Sequence, residues 1–227
     1  MIPPNEPLST SILAIMYFGD IVFSVSGALT AARYRMDLIG FTLIGTITGI
    51  GGGTTRDLLL GRTVWWTRNP QELILCVAAS LVTFFFITSD ISRHKLMVWA
   101  DALGLSAFAL VGCHIALQFG SPLIIAVFMG MVTATGGGFI RDVITNTQPM
   151  IVYGQLYATA ALLGSLSYVG LRHLGVSGTP AELVSCLAAF VLRASSILFN
   201  IRMGPPGEFL RWGRGDDAQS STNNPAK

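Results

Sequence analysis

Charged side chains are scarce in this chain of 227 residues. Asp, Glu, Lys and Arg make up 11% of it, whereas an ordinary soluble domain carries about 25%. Hydrophobic residues make up 52%, and the mean hydropathy is +0.61. The net charge of +2 gives no electrostatic support for binding nucleic acid. The composition therefore predicts an integral membrane protein.

Cysteine and histidine are also rare, and neither shows the spacing of metal ligands. All three cysteines fall in apolar runs, which predicts small buried side chains instead of a disulfide framework. We therefore expect no metal centre and no cofactor. Residues 1–6 contain no basic segment, so we expect an uncleaved first span and not a removed signal. The cysteines are Cys76, Cys113 and Cys186.

Seven apolar segments approach the ~20 residues that a helix needs to cross the hydrocarbon core. The period-two alternation of a membrane barrel is absent. These features predict an all-α membrane protein with a single transmembrane domain, residues 1–202. They also predict a disordered cytoplasmic tail, residues 203–227. The predicted helices are Thr10–Ala32, Leu38–Leu60, Glu72–Thr88, Leu96–Gln118, Pro122–Thr145, Met150–Leu171 and Ala181–Ile201.

Basic residues between the apolar segments predict the orientation in the membrane. Eight of them fall on the side of the C-terminus, whereas Arg62, Arg68 and Arg172 fall on the other side. We therefore expect the N-terminus outside and the C-terminus in the cytoplasm. The basic stretch Arg202–Arg214 also predicts contact with anionic lipid at the cytoplasmic surface. The eight are Arg33, Arg35, Arg93, Lys95, Arg202, Arg211, Arg214 and Lys227.

One short motif occurs twice in the apolar part of the chain. Gly51–Asp57 reads Gly-Gly-Gly-Thr-Thr-Arg-Asp, and Gly136–Asp142 reads Gly-Gly-Gly-Phe-Ile-Arg-Asp. The shift from residue 51 to residue 136 is 85 residues, and the same shift matches Thr48 with Thr133. Two related halves are thus expected to build one site, as in many membrane transport proteins.

The duplication predicts two repeats of three helices each. Repeat one covers residues 10–88, repeat two covers residues 96–171, and a seventh helix, residues 181–201, remains. Because each repeat crosses the membrane an odd number of times, the second copy must enter from the opposite side. The fold prediction is therefore seven transmembrane helices, comprising two inverted repeats and a seventh helix.

The glycine triplets predict bent or broken second and fifth helices, because three glycines provide no side-chain packing. Unwound backbone at membrane depth is tolerated only against protein or a watery cavity. We expect the triplet carbonyls, with the hydroxyls of Thr48 and Thr133, to face an ion pathway. The smaller stripes Gly45/Gly49 and Gly130/Ala134 are instead expected to pack helices closely.

Seven charged residues lie inside predicted spans, where each costs at least ~2.5 kcal/mol. Neighbours on a helix point about 100° apart, so crossed pairs are predicted, Arg56 with Asp142 and Arg141 with Asp57. Asp20 is matched with Asp101 at a shift of 81 residues, and both are competing acceptors. Such pairs either only dock the repeats or also line a pathway. The seven are Asp20, Arg56, Asp57, Asp101, Arg141, Asp142 and Arg193.

With its doubled Gly-Gly-Gly-x-x-Arg-Asp, the chain resembles the prokaryotic trimeric intracellular cation (TRIC) channels, also grouped under a "glycine transporter" family name. The resemblance covers about residues 10–202. It implies a homotrimer with one pore per protomer, lined by glycine-bent helices two and five and permeable to potassium and other monovalent cations. It also implies a bacterial-type inner or plasma membrane. The Lys-Glu-Val motif of the animal members is absent, so their regulation is not transferred.

Carried onto this sequence, the resemblance places both motifs in the pathway, with Thr48, Thr133, Asp20, Asp101 and Arg193 as secondary candidates. The filter sequence Thr-Val-Gly-Tyr-Gly is absent, which predicts weak discrimination between potassium and sodium. The implied pathway residues are Gly51, Gly52, Gly53, Arg56, Asp57, Gly136, Gly137, Gly138, Arg141 and Asp142.

Two other classes of protein remain as alternatives. A secondary transporter for a small zwitterion such as glycine would use Arg56 or Arg141 for the carboxylate and Asp20 or Asp101 for the ammonium group. An intramembrane aspartyl protease using Asp20 and Asp101 is disfavoured, because nearby arginines would hold both acids ionised. We therefore expect no enzymatic activity.

Overall fold

Helices account for all the regular secondary structure in the described residues, which are 8–86, 90–152, 156–176 and 178–201 of this computed structural model. Single-turn 3-10 helices occur at Trp65–Thr67 and Met150–Val152. The predicted tail, residues 203–227, and the stretch Arg202–Arg214 lie outside these residues. The α-helices are α1 (Thr10–Arg33), α2 (Leu38–Leu59), α3 (Gln71–Phe86), α4 (Asp90–Gln118), α5 (Leu123–Ile144), α6 (Ala158–His173) and α7 (Thr179–Leu198).

The prediction of seven helices is confirmed, and the bounds of most agree to within a few residues. The sixth was predicted to start at Met150, which is wrong, because a 3-10 turn there precedes α6 at Ala158. Five helices, α1, α2, α4, α5 and α7, are long and apolar enough to cross a membrane. Helices α3 and α6 have 16 residues each, about 24 Å of rise, which is less than the ~30 Å of the hydrocarbon core.

The predicted duplication is visible in matched contacts at a constant shift of 85 residues. Phe23 of α1 lies against Gly104 of α4, and Phe108 of α4 lies against Gly19 of α1. The two rings stack with centroids 5.4 Å apart. Helices α1–α3 and α4–α6 thus form two inverted repeats, and α7 packs against α4 and α6 of the second.

The contacts of Phe23 and Phe108 correct one predicted equivalence. They align α1 with α4 at a shift of 85, so Asp20 corresponds to Leu105, and Asp101 corresponds to Met16. The shift of 81, which matched the two acids with each other, is therefore wrong. The acids lie one helical turn out of register, because their helices align by the glycine notches and not by charge.

Helices α2 and α5 cross at the glycine triplets without losing helical structure. Both are continuous α-helices through residues 51–53 and 136–138, so the predicted break is wrong. A Cβ atom on Gly52 would collide with the carbonyl of Thr133, and one on Gly137 would collide with the carbonyl of Thr48. An ideal Cβ on Gly136 would lie 3.2 Å from the Cα of Gly52. The glycines therefore allow direct backbone contact, the role of small residues in membrane helices.

The hydroxyls of Thr48 and Thr133 lie on the faces of α2 and α5 that pack within each repeat. Each donates a hydrogen bond to the carbonyl four residues earlier, at 2.6 Å. Thr48 is seated against Gly27 of α1, and Thr133 against Gly112 of α4. Both threonines are fully buried. In this structure they hold the helices of each repeat together.

We expect Gly52→Ala to destabilise the protein, because the new methyl group must displace the Thr133 carbonyl or separate α2 from α5. Overpacking of this kind costs about 1–3 kcal/mol. The matched control is Gly170→Ala in α6, where an added Cβ meets nothing within 4 Å. Thermal unfolding of the detergent-purified variants measures the difference. An unchanged Tm for Gly52→Ala would contradict the close contact.

Candidate functional site

The end of α2 carries the first buried ion pair. The Arg56 guanidinium donates to Asp57 Oδ1 through Nε, at 2.9 Å, and Nη2 lies 2.8 Å from the same oxygen. Asp57 Oδ2 accepts from the backbone N–H of Trp65, at 3.0 Å, where the first 3-10 helix begins. Both charged side chains are almost completely buried. The carboxylate thus fixes the turn after α2 and holds the guanidinium at the same time.

The end of α5 repeats this arrangement 85 residues later. Arg141 Nε donates to Asp142 Oδ1 at 2.8 Å, and Asp142 Oδ2 accepts from the N–H of Met150 at 3.0 Å. Met150 begins the second 3-10 helix, as Trp65 begins the first. The symmetry predicted for the two motifs therefore extends to individual hydrogen bonds.

The crossed pairs predicted from the sequence do not form among the described residues, and that prediction is wrong. Each arginine binds the aspartate next to it, Arg56 with Asp57 and Arg141 with Asp142. Neighbouring Cβ atoms do point about 100° apart on a helix. The arginine side chain is long enough to curl around this angle, and each aspartate is fixed beyond its helix end by a backbone N–H.

Arg141 also joins the two repeats. Its Nη1 lies 2.8 Å from Asp101 Oδ1 and donates to Ser26 Oγ, also at 2.8 Å. Asp101 belongs to α4, whereas Ser26 belongs to α1 of the first repeat. Asp101 and Arg141 are both fully buried. Of the two competing acceptors predicted from the sequence, Asp101 thus binds an arginine directly.

The third glycine of each triplet faces the buried charges and not the crossing of α2 and α5. A Cβ on Gly53 would lie 3.7 Å from Arg56 Nη2, and one on Gly138 would lie 3.4 Å from Arg141 Nη2. Around Gly138, three buried polar atoms have no hydrogen-bond partner among the described residues. They are Asp101 Oδ2, Arg141 Nη2 and Tyr157 Oη. Gly53 and Gly138 thus leave room beside the charges.

The two charge clusters differ in composition. The first contains two further buried acids, Asp20 of α1 and Glu72 of α3. At a shift of 85 their positions are occupied by Leu105 and Tyr157. Glu72 was not singled out in the sequence, because an acid in the first turn of a helix is ordinarily a solvated end. Comparison with Tyr157 under the established shift was the signal that could have identified it.

Helix α7 contributes one charge to the second cluster. The guanidinium of Arg193 lies over the ring of Tyr157, with 4.9 Å from Cζ to the ring centroid. Arg193 is fully buried, and stacking on an aromatic face is a favourable environment for a desolvated guanidinium. The first cluster has no counterpart of α7, so the repeats differ in charge as well as in size.

Two cavities lie beside these clusters. The acidic cavity leaves about 10 Å³ for the centre of a water-sized particle. Its lining includes Asp20, Gly53, Arg56, Asp57 and Glu72, together with Trp65, Trp66 and Phe108.

The basic cavity is much larger, about 760 Å³. It lies where α1, α5 and α7 end and α4 begins, and Asp142 is exposed to it. Its charged lining also includes Arg33, Lys95 and Arg193, with His94 bonded to Arg33 at 3.1 Å. The cavities lie at opposite ends of the α2–α5 crossing, because α2 and α5 run in opposite directions between the repeats.

Arg62, in the loop after α2, lies at the edge of the first cluster. Its Nε is 3.6 Å from Asp57 Oδ1, and its side chain is 23% exposed. Burial lowers the pKa of the Arg62 guanidinium, whereas the neighbouring Asp57 acts in the opposite direction. Across the described part of the chain, no three His, Cys, Asp or Glu side chains are grouped to hold a metal ion.

The family model described as "Glycine transporter" matches the chain twice, at residues 13–88 and 98–173. The two matches start 85 residues apart, the shift that the contacts show. A "UPF0126 membrane protein" of Vibrio cholerae serotype O1 is 34% identical over 203 residues, covering 86% of this chain and 83% of that protein. The "UPF0126 inner membrane protein YadS" of Escherichia coli K12 is 32% identical over 188 residues, covering 82% and 91%. The chain belongs to the glycine transporter family of membrane proteins.

Solved structures match over the same region. The TRIC trimeric intracellular cation channel orthologue from Rhodobacter sphaeroides superimposes with a TM-score of 0.82 and 42% identity, over 85% of this chain and all of that one. A prokaryotic TRIC channel crystallised in 0.5 M KCl gives 0.80 and 31% identity, over 85% of this chain and 98% of that one. The resemblance to TRIC channels is thereby confirmed, and the proteins it matches are channels and not enzymes.

We expect Asp101→Asn to destabilise the protein far more than Asp20→Asn. The first change leaves the fully buried Arg141 with one carboxylate fewer, and breaking a buried pair costs about 3–5 kcal/mol. Asp20 makes no ion pair within 4 Å among the described residues. Thermal unfolding of both purified variants in one detergent checks the order. Equal losses of stability would show that the Asp101–Arg141 contact contributes little.

Proposed function

We propose that this protein is a cation channel, permeable to potassium, with one pathway inside each protomer. The observation that carries the proposal is the pair of equivalent buried Arg-Asp clusters, one at each end of the α2–α5 crossing, each exposed to a cavity. The matched solved structures of TRIC channels, one of them in potassium chloride, support it.

The proposed pathway runs from the acidic cavity, past the two crossed helices, to the basic cavity. Gly53 and Gly138 provide the space beside Arg56 and Arg141, while Asp57 and Asp142 offset the arginine charges for a passing cation. The first two glycines of each triplet act indirectly, because they set the distance between α2 and α5. Thr48 and Thr133 support this geometry from within each repeat. Asp101 and Arg193 fix the second cluster.

Potassium and sodium are both expected to pass. The potassium filter sequence is absent, and discrimination between the two ions requires a ring of fixed oxygen ligands. Carboxylate–guanidinium pairs attract cations by charge and provide no such ring. The proposed channel therefore selects cations over anions more strongly than one cation over another.

The proposed assembly is a homotrimer in a bacterial inner or plasma membrane, as the name of the Rhodobacter sphaeroides channel indicates for that protein. Residues 1–202 form its transmembrane domain. We place the N-terminus outside, which puts the basic cavity on the cytoplasmic side. Large apolar side chains exposed on the described helices provide the surface for lipid and for the other protomers. Examples are Ile39, Leu58, Ile124 and Leu187.

A carrier for a small zwitterion is the second candidate, and the description of the family model favours it. Arg56 or Arg141 would bind the substrate carboxylate. In this structure both guanidinium groups are already paired with aspartates, so a substrate would have to displace an ion pair. That requirement favours the channel.

Protein reconstituted in liposomes should release potassium down its gradient and give discrete unitary currents. Asp57→Asn or Asp142→Asn should each lower potassium flux by about tenfold, an increase of about 1.4 kcal/mol in the barrier. The reason is that each change leaves an unneutralised guanidinium beside the pathway. Fluorescence of a potassium dye and planar-bilayer recording measure the two quantities.

Glu182→Gln is the matched control for these variants, because Glu182 is a buried acid of α7 that lines neither cavity. Its flux should equal that of the unmodified protein. Saturable glycine uptake without unitary currents would support the carrier instead. An absence of flux in every monovalent salt would overturn the channel proposal.

The trimer can be tested without any transport assay. Native mass spectrometry of the protein in mild detergent should show three chains per particle. The expectation is that Asp57→Asn leaves this number unchanged, because Asp57 is almost completely buried within the protomer. Only monomers or dimers at micromolar concentration would contradict the proposed assembly.

A further inference from the structure

We propose that Asp20 and Glu72 form a binding site for one dehydrated monovalent cation, present only in the first repeat. The inference rests on the proposed function, because it names a station of the same pathway. It makes the pathway asymmetric despite the duplicated fold. The pair is called the Asp20–Glu72 site below.

The two carboxylates converge from different helices. Asp20 lies in the middle of α1, and Glu72 lies in the first turn of α3. Both line the acidic cavity, and they are close enough to repel each other electrostatically. Asp20 is 3% exposed and Glu72 is 6% exposed. Two acids at this depth need a positive charge nearby, since a buried charge without a partner is costly.

The available guanidinium does not meet that need. Arg56 lines the same cavity, but its printed bonds go to Asp57. Asp20 Oδ2 is buried and has no hydrogen-bond partner among the described residues. The first cluster thus holds three buried carboxylates for one buried guanidinium. A cation between Asp20 and Glu72 supplies the missing charge and gives Asp20 Oδ2 a partner.

The size of the cavity selects the kind of cation. About 10 Å³ is available to the centre of a water-sized particle, which is space for about one such particle. A potassium ion without its hydration shell is about as large as a water molecule, whereas a hydrated cation or an organic cation is much larger. No trio of metal-binding side chains occurs among the described residues, so a divalent ion lacks the ligands it requires.

The second repeat cannot form an equivalent site. At a shift of 85, Leu105 replaces Asp20 and Tyr157 replaces Glu72. The ring of Tyr157 instead lies under the guanidinium of Arg193. Where the first repeat gathers negative charge, the second gathers positive charge. A cation on the pathway therefore has one preferred resting place, near the end of α2.

Thallium(I) is a suitable probe, because it replaces potassium and quenches tryptophan fluorescence. Trp65 and Trp66 line the same cavity as the two acids, so a thallium ion bound there lies beside them. The experiment uses the full chain in detergent with Trp99→Phe and Trp212→Phe, which leaves these two tryptophans as the only ones. Thallium nitrate is titrated at constant ionic strength, with N-methylglucamine nitrate as the replaced salt.

Quenching should saturate, and potassium should reverse it, whereas N-methylglucamine should not. Asp20→Asn or Glu72→Gln should raise the half-saturating thallium concentration at least about fivefold, the weakening expected when a unit charge ~4 Å away is removed even at the dielectric constant of water. Glu182→Gln, the control in α7, should leave it unchanged. Linear quenching that is the same in all variants would overturn the site, as would displacement by N-methylglucamine.

Potassium flux of the unmodified protein separates this proposal from the channel proposal. Flux with no saturable quenching would leave the channel in place and remove the Asp20–Glu72 site. Saturable, acid-dependent quenching with no flux would retain the site and remove the channel. Native mass spectrometry of each variant confirms that it remains assembled, so that a loss of quenching is not mistaken for unfolding.

Discussion

Direct backbone contact between α2 and α5 is the constraint on which the rest of the structure depends. Gly52 accepts the Thr133 carbonyl against its Cα, and Gly137 accepts the Thr48 carbonyl in the equivalent place. Any side chain there would separate the helices and, with them, the two repeats. Because the contact involves two copies of one motif, it also fixes the inverted relation between the repeats. The charge clusters lie at the two ends of this contact because the motif places Arg and Asp one turn beyond the glycines.

A continuous helix at the crossing changes the physical account of the site. A broken helix would expose carbonyls to bind ions directly, as the sequence predicted. The structure instead keeps those carbonyls in helical hydrogen bonds and packs two of them against glycine. The polar groups available to a cation are therefore side chains, chiefly carboxylates that offset arginines. Attraction by net charge, and not coordination by a ring of carbonyls, is the physical basis for cation passage here.

The sequence was sufficient for the fold because hydropathy, the repeated motif and an odd number of spans each limit the topology strongly. It was insufficient for the side-chain pairing. Arg56 binds Asp57 because Asp57 is held by the N–H of Trp65, eight residues further on, and no periodicity reports such a loop contact. The match between Asp20 and Asp101 failed because like residues were aligned by chemistry, whereas the helices align through Phe23, Phe108 and their glycine notches. Glu72 was missed since its burial depends on how α3 packs against α1 and α2.

The differences between the repeats explain why a duplicated fold can serve a directional membrane. The shared parts are the crossing, the adjacent Arg-Asp pairs and the 3-10 turns, and they maintain the architecture. The unshared parts lie around them: Asp20 and Glu72 in the first repeat, and Asp101, Tyr157 and Arg193 in the second. Since α7 packs only on the second repeat, its arginine adds positive charge at one end alone. Negative charge near the end of α2 and positive charge in the basic cavity then produce a field along the proposed pathway. Such a field cannot arise from two identical inverted halves, so the substitutions that break the symmetry are where direction-dependent behaviour must originate.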